Sequence, residues 1–122
     1  MRATVACVLV VLRFASPGEG FAAEAAPALA ALAARPGYVR GQLTRAYDDP
    51  TAWCLVVEWE SVGAYRRALS SYEVKLHATP VLARAVPEAS AFEPLLTAAP
   101  SGPPVFTDSD RAAPAVPLES RG

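Results

Sequence analysis

A chain of 122 residues makes one domain, long enough to bury a core. Its 11 Lys and Arg are balanced by 12 Asp and Glu, for a net charge of −1, and both signs are scattered along the chain; this excludes the clustered basic footprint of a nucleic-acid binder. The apolar share is 52%, yet no apolar run reaches the length of a membrane span, and one His without any Cys-x-x-Cys pair gives no basis for a protein-held metal.

The N-terminus has two readings. Arg2, the apolar run Ala3 to Leu12 and the small residues from Phe21 to Ala26 have the outline of a secretory signal. However, Arg13 closes the apolar run with a charge, and Ser16-Pro17-Gly18 followed by helical spacing is how a strand connects to a helix. We read Thr4 to Phe14 as a strand and the protein as cytoplasmic. Phe21 to Arg35 reads as a helix with Phe21, Ala25, Leu29 and Leu32 on its apolar side. Pro27 either falls in the first turn of a shorter helix or bends a longer one. Pro36-Gly37 ends it.

Tyr38 to Tyr47 is a second, more polar strand, and Asp48-Asp49-Pro50 is a turn. Ala52 to Glu60 is a third strand, with Trp53, Leu55, Val57 and Trp59 on one face and Cys54, Val56 and Glu58 on the other. The second and third strands are close enough to form a hairpin. Ser61 is a candidate N-cap for a helix over Val62 to Leu69. Ser70-x-x-Glu73 has the capping-box form for another helical segment, in which Glu73 stands four residues before His77. Pro80 and Pro87 punctuate this region. Ala89 to Leu96 reads as a last strand, held to an edge by Pro94. We therefore assign residues 1–96 to the folded domain. Residues 97–122, rich in Pro, Ser, Ala and Gly, are expected to be a disordered tail.

Strand, helix, strand, strand, helical region, strand is the split β-α-β order of the α+β, ferredoxin-like fold, an antiparallel sheet with helices on one face. The first and third strands are apolar on both faces, and helices cover only one. Face-to-face packing of two sheets in a homodimer would cover the other.

The segment Trp53 to His77 holds nearly every side chain suited to chemistry, and a strand end followed by helices should bring Trp59, Tyr65, Tyr72 and His77 near one another. His77 is the one imidazole and the natural proton acceptor near neutral pH; otherwise it is a surface residue paired with Glu73. Trp53, Trp59, Tyr65 and Tyr72 have packing roles as the alternative. Glu58 reads as a solvated or interface charge; Arg13 and Arg40 could bind an acidic substrate group, although exposed strand arginines are commoner. Cys7 and Cys54 read as buried free thiols, because no base stands beside either.

The run Glu58-Trp59-Glu60-Ser61-x-x-Ala64-Tyr65-Arg66 resembles the antibiotic biosynthesis monooxygenase family, with further likeness at Arg35-Pro36-Gly37-Tyr38, at the Asp48 to Pro50 turn and at Tyr72 to Leu82. The resemblance spans about Thr4 to Leu96. It implies a small dimeric α+β barrel that oxidises an aromatic, polyketide-like substrate with O2, using neither metal nor other cofactor. A deprotonated phenol or anthrone passes an electron to O2 itself. The protein binds the flat molecule, stabilises its oxyanion and excludes water. On this resemblance Trp59 donates to a substrate oxygen, Tyr65 is a second donor or proton carrier, and His77 is the candidate base; Trp53, Leu55 and Tyr72 would line the substrate site. Leu55 stands where quinone-forming members often carry asparagine, and the chain has no Asn at all. The haem-degrading branch of this fold uses an Asn, a Trp and a His, and neither that Asn nor its helix Trp is present here. The alternative from another class is a non-catalytic dimeric module that binds an apolar ligand or a partner protein.

Overall fold

The computed structural model of the chain describes residues 8–109. Cys7, the first residues of the expected first strand and residues 110–122 of the expected tail lie outside them. Strand β1 spans Val8–Ala15, helix α1 Phe21–Ala33, β2 Tyr38–Arg45, β3 Ala52–Trp59, α2 Val62–Ser70, α3 Tyr72–His77, α4 Thr79–Leu82 and β4 Ala91–Phe92. These four strands form one antiparallel sheet in the order β2-β3-β1-β4, the ferredoxin-like arrangement.

β1 is central because its β-branched, apolar run can be buried from both sides, and its faces, hidden in the sequence, are now distinct. Val8, Val10 and Phe14 are buried under the helices, whereas Leu9 and Val11 on the opposite face are half-buried. β3 follows the expected alternation, with Leu55, Val57 and Trp59 buried among the helices. The core closes with Phe21, Ala25, Ala28 and Leu32 of α1, Ala64 and Ala68 of α2, and Val74 and Ala78 from α3 and the residue after it. Alanines at these positions let helix and sheet approach closely. Ala28, rather than Leu29, takes the fully buried place on α1.

Pro27 lies in the interior of α1, on its exposed side. The helix runs on through it to Ala33, so the first-turn alternative does not hold. Solvent on that side can satisfy the carbonyl that Pro27 leaves without its N–H donor. Gly37, at φ 88, reverses the chain after α1 and starts β2. The β2–β3 hairpin forms as expected.

Two boundaries differ from the sequence reading. The N-cap of α3 is Ser71, whose Oγ accepts from the Val74 N–H at 3.3 Å; Ser70 closes α2 and donates its hydroxyl to the Arg66 carbonyl at 3.1 Å. Adjacent serines offer two capping frames, and the buried stripe through Val74 selects the second. The last strand is also short: only Ala91–Phe92 pairs with β1, opposite Val10 and Leu9. Pro94 has no N–H to extend that ladder. Beyond it Leu96–Thr97 (β5) pairs with Val105–Phe106 (β6) in a separate two-stranded ladder, so the first part of the stretch expected to be a disordered tail holds paired strands.

Candidate functional site

Trp59 ends β3. It is fully buried, at 0% exposure. The ladder places it between Val8 of β1 and Tyr38 of β2. The Tyr38 ring meets it edge-on, with centroids 5.6 Å apart, and the Tyr65 ring lies tilted at 5.8 Å. Its indole Nε1 is buried and has no hydrogen-bond partner. A buried donor left unmade costs of the order of 1–3 kcal/mol, and this N–H bears that cost inside an aromatic cluster.

Ser61 sets Tyr65. Its Oγ accepts from the Ala64 N–H at 3.0 Å, fixing the first turn of α2 directly after β3. That turn carries Tyr65 back over Trp59. Burial disfavours the phenolate and pushes the Tyr65 pKa above the usual tyrosine value, and Tyr38 is shifted the same way for the same reason. Both phenols therefore keep their protons at neutral pH and can donate. Tyr65 also lines a hollow of about 360 Å³ with Leu12, Leu69, Thr79, Leu82 and Ala83. The hollow is mainly aliphatic, with Tyr65 and Thr79 as its polar residues; the Thr79 hydroxyl already donates to the Val74 carbonyl at 3.3 Å.

Trp59 and Tyr65 are thus brought together. The other candidates lie elsewhere. His77 is exposed on α3, with Nε2 3.4 Å from Glu73 Oε2, the surface pairing that the i, i+4 spacing suggested. It lines a separate groove of about 320 Å³ with Pro27, Ala31, Ala34 and Glu73, between α1 and α3. Tyr72 is 72% exposed. Leu55 is buried in the middle of the core, opposite Leu12 and Leu43. Trp53 is at the far end of β3, edge-on to Phe21 at 5.6 Å and beneath the Arg45 guanidinium at 5.3 Å. The half-buried Cys54 thiol is pushed up by burial and is protonated at neutral pH. Among the described residues no group of three His, Cys, Asp or Glu could hold a metal ion.

Tyr38 is the member of the aromatic cluster that the sequence did not bring to notice. A regular hairpin register, continued from Gln42 opposite Val56, would set Val39 across from Trp59. A shift between Tyr38 and Arg40 sets Tyr38 there instead. Gly41 makes room for it, since a Cβ at Gly41 would lie 2.8 Å from the Tyr38 hydroxyl.

The profile of the antibiotic biosynthesis monooxygenase family matches residues 8–79, more than half of the chain, including Tyr38, Trp59, Tyr65 and His77. The chain belongs to that family. Among solved structures it is similar to SnoaB, a cofactor-independent oxygenase from Streptomyces nogalater, with 30% identity and a TM-score of 0.63 over 74% of this chain and 94% of that one. A mutant of SnoaB matches over 91% of this chain and all of its own, at 24% identity and a TM-score of 0.59. Rv0793 from Mycobacterium tuberculosis shares the fold at 16% identity, with a TM-score of 0.59 over 75% of this chain and 98% of that one. No curated protein matches the chain. Family membership supports a monooxygenase-type role. Among the described residues no helix is long and apolar enough to cross a membrane.

Proposed function

We propose that this family member is a cofactor-independent monooxygenase that oxidises an aromatic, polyketide-like substrate with O2, acting in the cytoplasm as a homodimer. The observation that carries the reading is the Trp59 indole N–H, buried without a partner beside the protonated Tyr65 phenol. Trp59 is sealed and does not itself line the hollow, so a substrate oxygen would satisfy that donor once the Tyr65 ring moves aside. As the substrate loses a proton, charge builds on this oxygen, and a preset donor in a dry site stabilises it with little reorganisation. Leu12, Leu69 and Leu82 would hold the ring system of the substrate. The balance needs no other oxidant: a substrate CH2 and O2 give a carbonyl and water, the substrate supplying the electrons. SnoaB, described as cofactor-independent, supports this economy.

His77 stands apart from this pair, in the α1–α3 groove, so the reading rests on Trp59 and Tyr65. His77→Ala tests the imidazole as base; a rate unchanged within about twofold would leave proton removal to solvent. The homodimer rests on the sheet face away from the helices. There Leu9, Val11, Cys54 and Val56 are half-buried, Phe92 is 47% exposed, and Arg40 pairs with Glu58 at the margin. Two such faces would cover one another. A monomer at micromolar concentration in sedimentation would overturn that part.

One observation favours the non-catalytic alternative: Leu55, 2% exposed, puts an aliphatic side chain where quinone-forming relatives often have an amide. Oxygen uptake decides between them. Purified protein is given anthrones and naphthols in chelated buffer, with Trp59→Phe alongside. The oxygenase reading expects uptake above the uncatalysed rate and a loss of at least about tenfold in the variant. Tryptophan quenching by the same compounds without uptake would establish the binding module instead.

A further inference from the structure

The arginines of the described chain fall into two groups. Arg13 pairs with Glu88 at 2.6 Å, Arg84 with Glu24 at 2.5 Å and Arg40 with Glu58. Arg45 stacks on Trp53. Arg35, Arg66 and Arg67 have no carboxylate partner among the described residues, and they gather in one place. With Ser70 and Ser71 they line an open recess of about 350 Å³ where the end of α1 meets the α2–α3 junction. No acid belongs to this lining. Glu73, in the neighbouring groove that Arg35 also borders, lies 3.4 Å from the His77 Nε2.

Three arginines and no acid line this recess, which makes it locally positive and favours an anion. Arg35 carries a further sign of an absent partner: its Nε is buried without any hydrogen bond. The Arg67 guanidinium folds back over Gly63, where a Cβ would come within 3.1 Å of Nη1. The serine hydroxyls are already committed, Ser70 to the Arg66 carbonyl and Ser71 to the Ala68 carbonyl at 2.8 Å. The guanidinium forks are therefore the donors on offer, and they match the geometry of phosphoryl oxygens.

We infer that this recess binds a phosphoryl group, as a diphosphate or phosphate monoester, on the outer face of the helices. The site is separate from the hollow beside Tyr65 and does not depend on the oxygenase reading. Calorimetry of the full chain with inorganic pyrophosphate and orthophosphate tests it, at low salt and again at about 0.15 M. Saturable one-to-one binding is expected, tighter for pyrophosphate. Arg66→Ala and Arg67→Ala should each weaken it by at least about tenfold. Arg13→Ala changes net charge by the same amount and should leave affinity within about twofold, because Arg13 already serves Glu88. Absence of saturable binding would overturn the inference. Equal weakening by Arg13→Ala would overturn it as well, since only the overall charge would then be sensed.

Discussion

The two tryptophans of β3 lie on the same face of the same strand, six residues apart, and have different surroundings. Trp59 is sealed, its N–H unsatisfied, between two tyrosines whose phenols keep their protons. Trp53 is half-buried at the rim, edge-on to Phe21 and covered by Arg45. The chain reversals near the two ends differ in the same way. Gly37, near Trp59, has φ 88 and no space, because a Cβ there would lie 2.4 Å from the Ala64 Cβ. Gly18, near Trp53, has φ 105 and nothing within 4 Å. One end of the sheet is packed tightly around an unmade hydrogen bond, and the other is packed loosely around a half-buried, stacked ring. On the oxygenase proposal the unpaired donor of Trp59 would serve a substrate, whereas the stacked rim residue Trp53 would serve the fold.

The contrast can be broken most directly by truncation. Trp59→Ala should cost about 3–5 kcal/mol in urea unfolding, as a large core cavity does, and Trp53→Ala roughly 2 kcal/mol, for half of an aromatic's burial. Equal costs would remove the distinction. Gly37→Ala should cost about 3 kcal/mol, adding overpacking against α2 to backbone strain, while Gly18→Ala should cost about 1 kcal/mol from strain alone. In oxygen uptake, Trp59→Phe should lose at least about tenfold and Trp53→Phe less than about twofold.

The smallest effects are those of pH, with opposite signs at the two ends. Folded Tyr38 and Tyr65 hold their protons above the ordinary value of 10.0, so their contribution is complete below that pH and is lost as pH rises through the raised values. Replacing both with Phe should flatten the alkaline fall in stability. Near Trp53, the Asp49 carboxylate is lowered by hydrogen bonds from the Thr51 hydroxyl and N–H, and Glu88 by Arg13. Their contribution is present above the ordinary carboxylate range and is lost as pH falls through the lowered values. Asp49→Asn should soften the acid limb and leave the alkaline one unchanged.

Much of this was legible in the residues. The helix stop at Pro36-Gly37, the Ser61 cap and the period-2 pattern of β3 are local signals, and each corresponds to an observed boundary. The Trp59–Tyr65 pair was legible for the same reason, since a strand end and the first turn of the next helix lie a few residues apart. The capping frame of α3 was not, because Ser70 and Ser71 are equivalent until Val74 is buried. The span of β4 was not either: a two-residue ladder depends on what β1 offers it.

The sequence by itself determined the order of elements from β1 to β4 and the antiparallel α+β class, because hydrophobic period and turn chemistry act over a few residues. Tertiary structure decided which aromatics meet. The shift in β2 sets Tyr38 opposite Trp59, and the meeting of the end of α1 with the α2–α3 junction brings Arg35 to the neighbouring Arg66 and Arg67 without a carboxylate. Contacts of this kind are set by register and by the packing of one element on another, and no short window of the chain contains both partners.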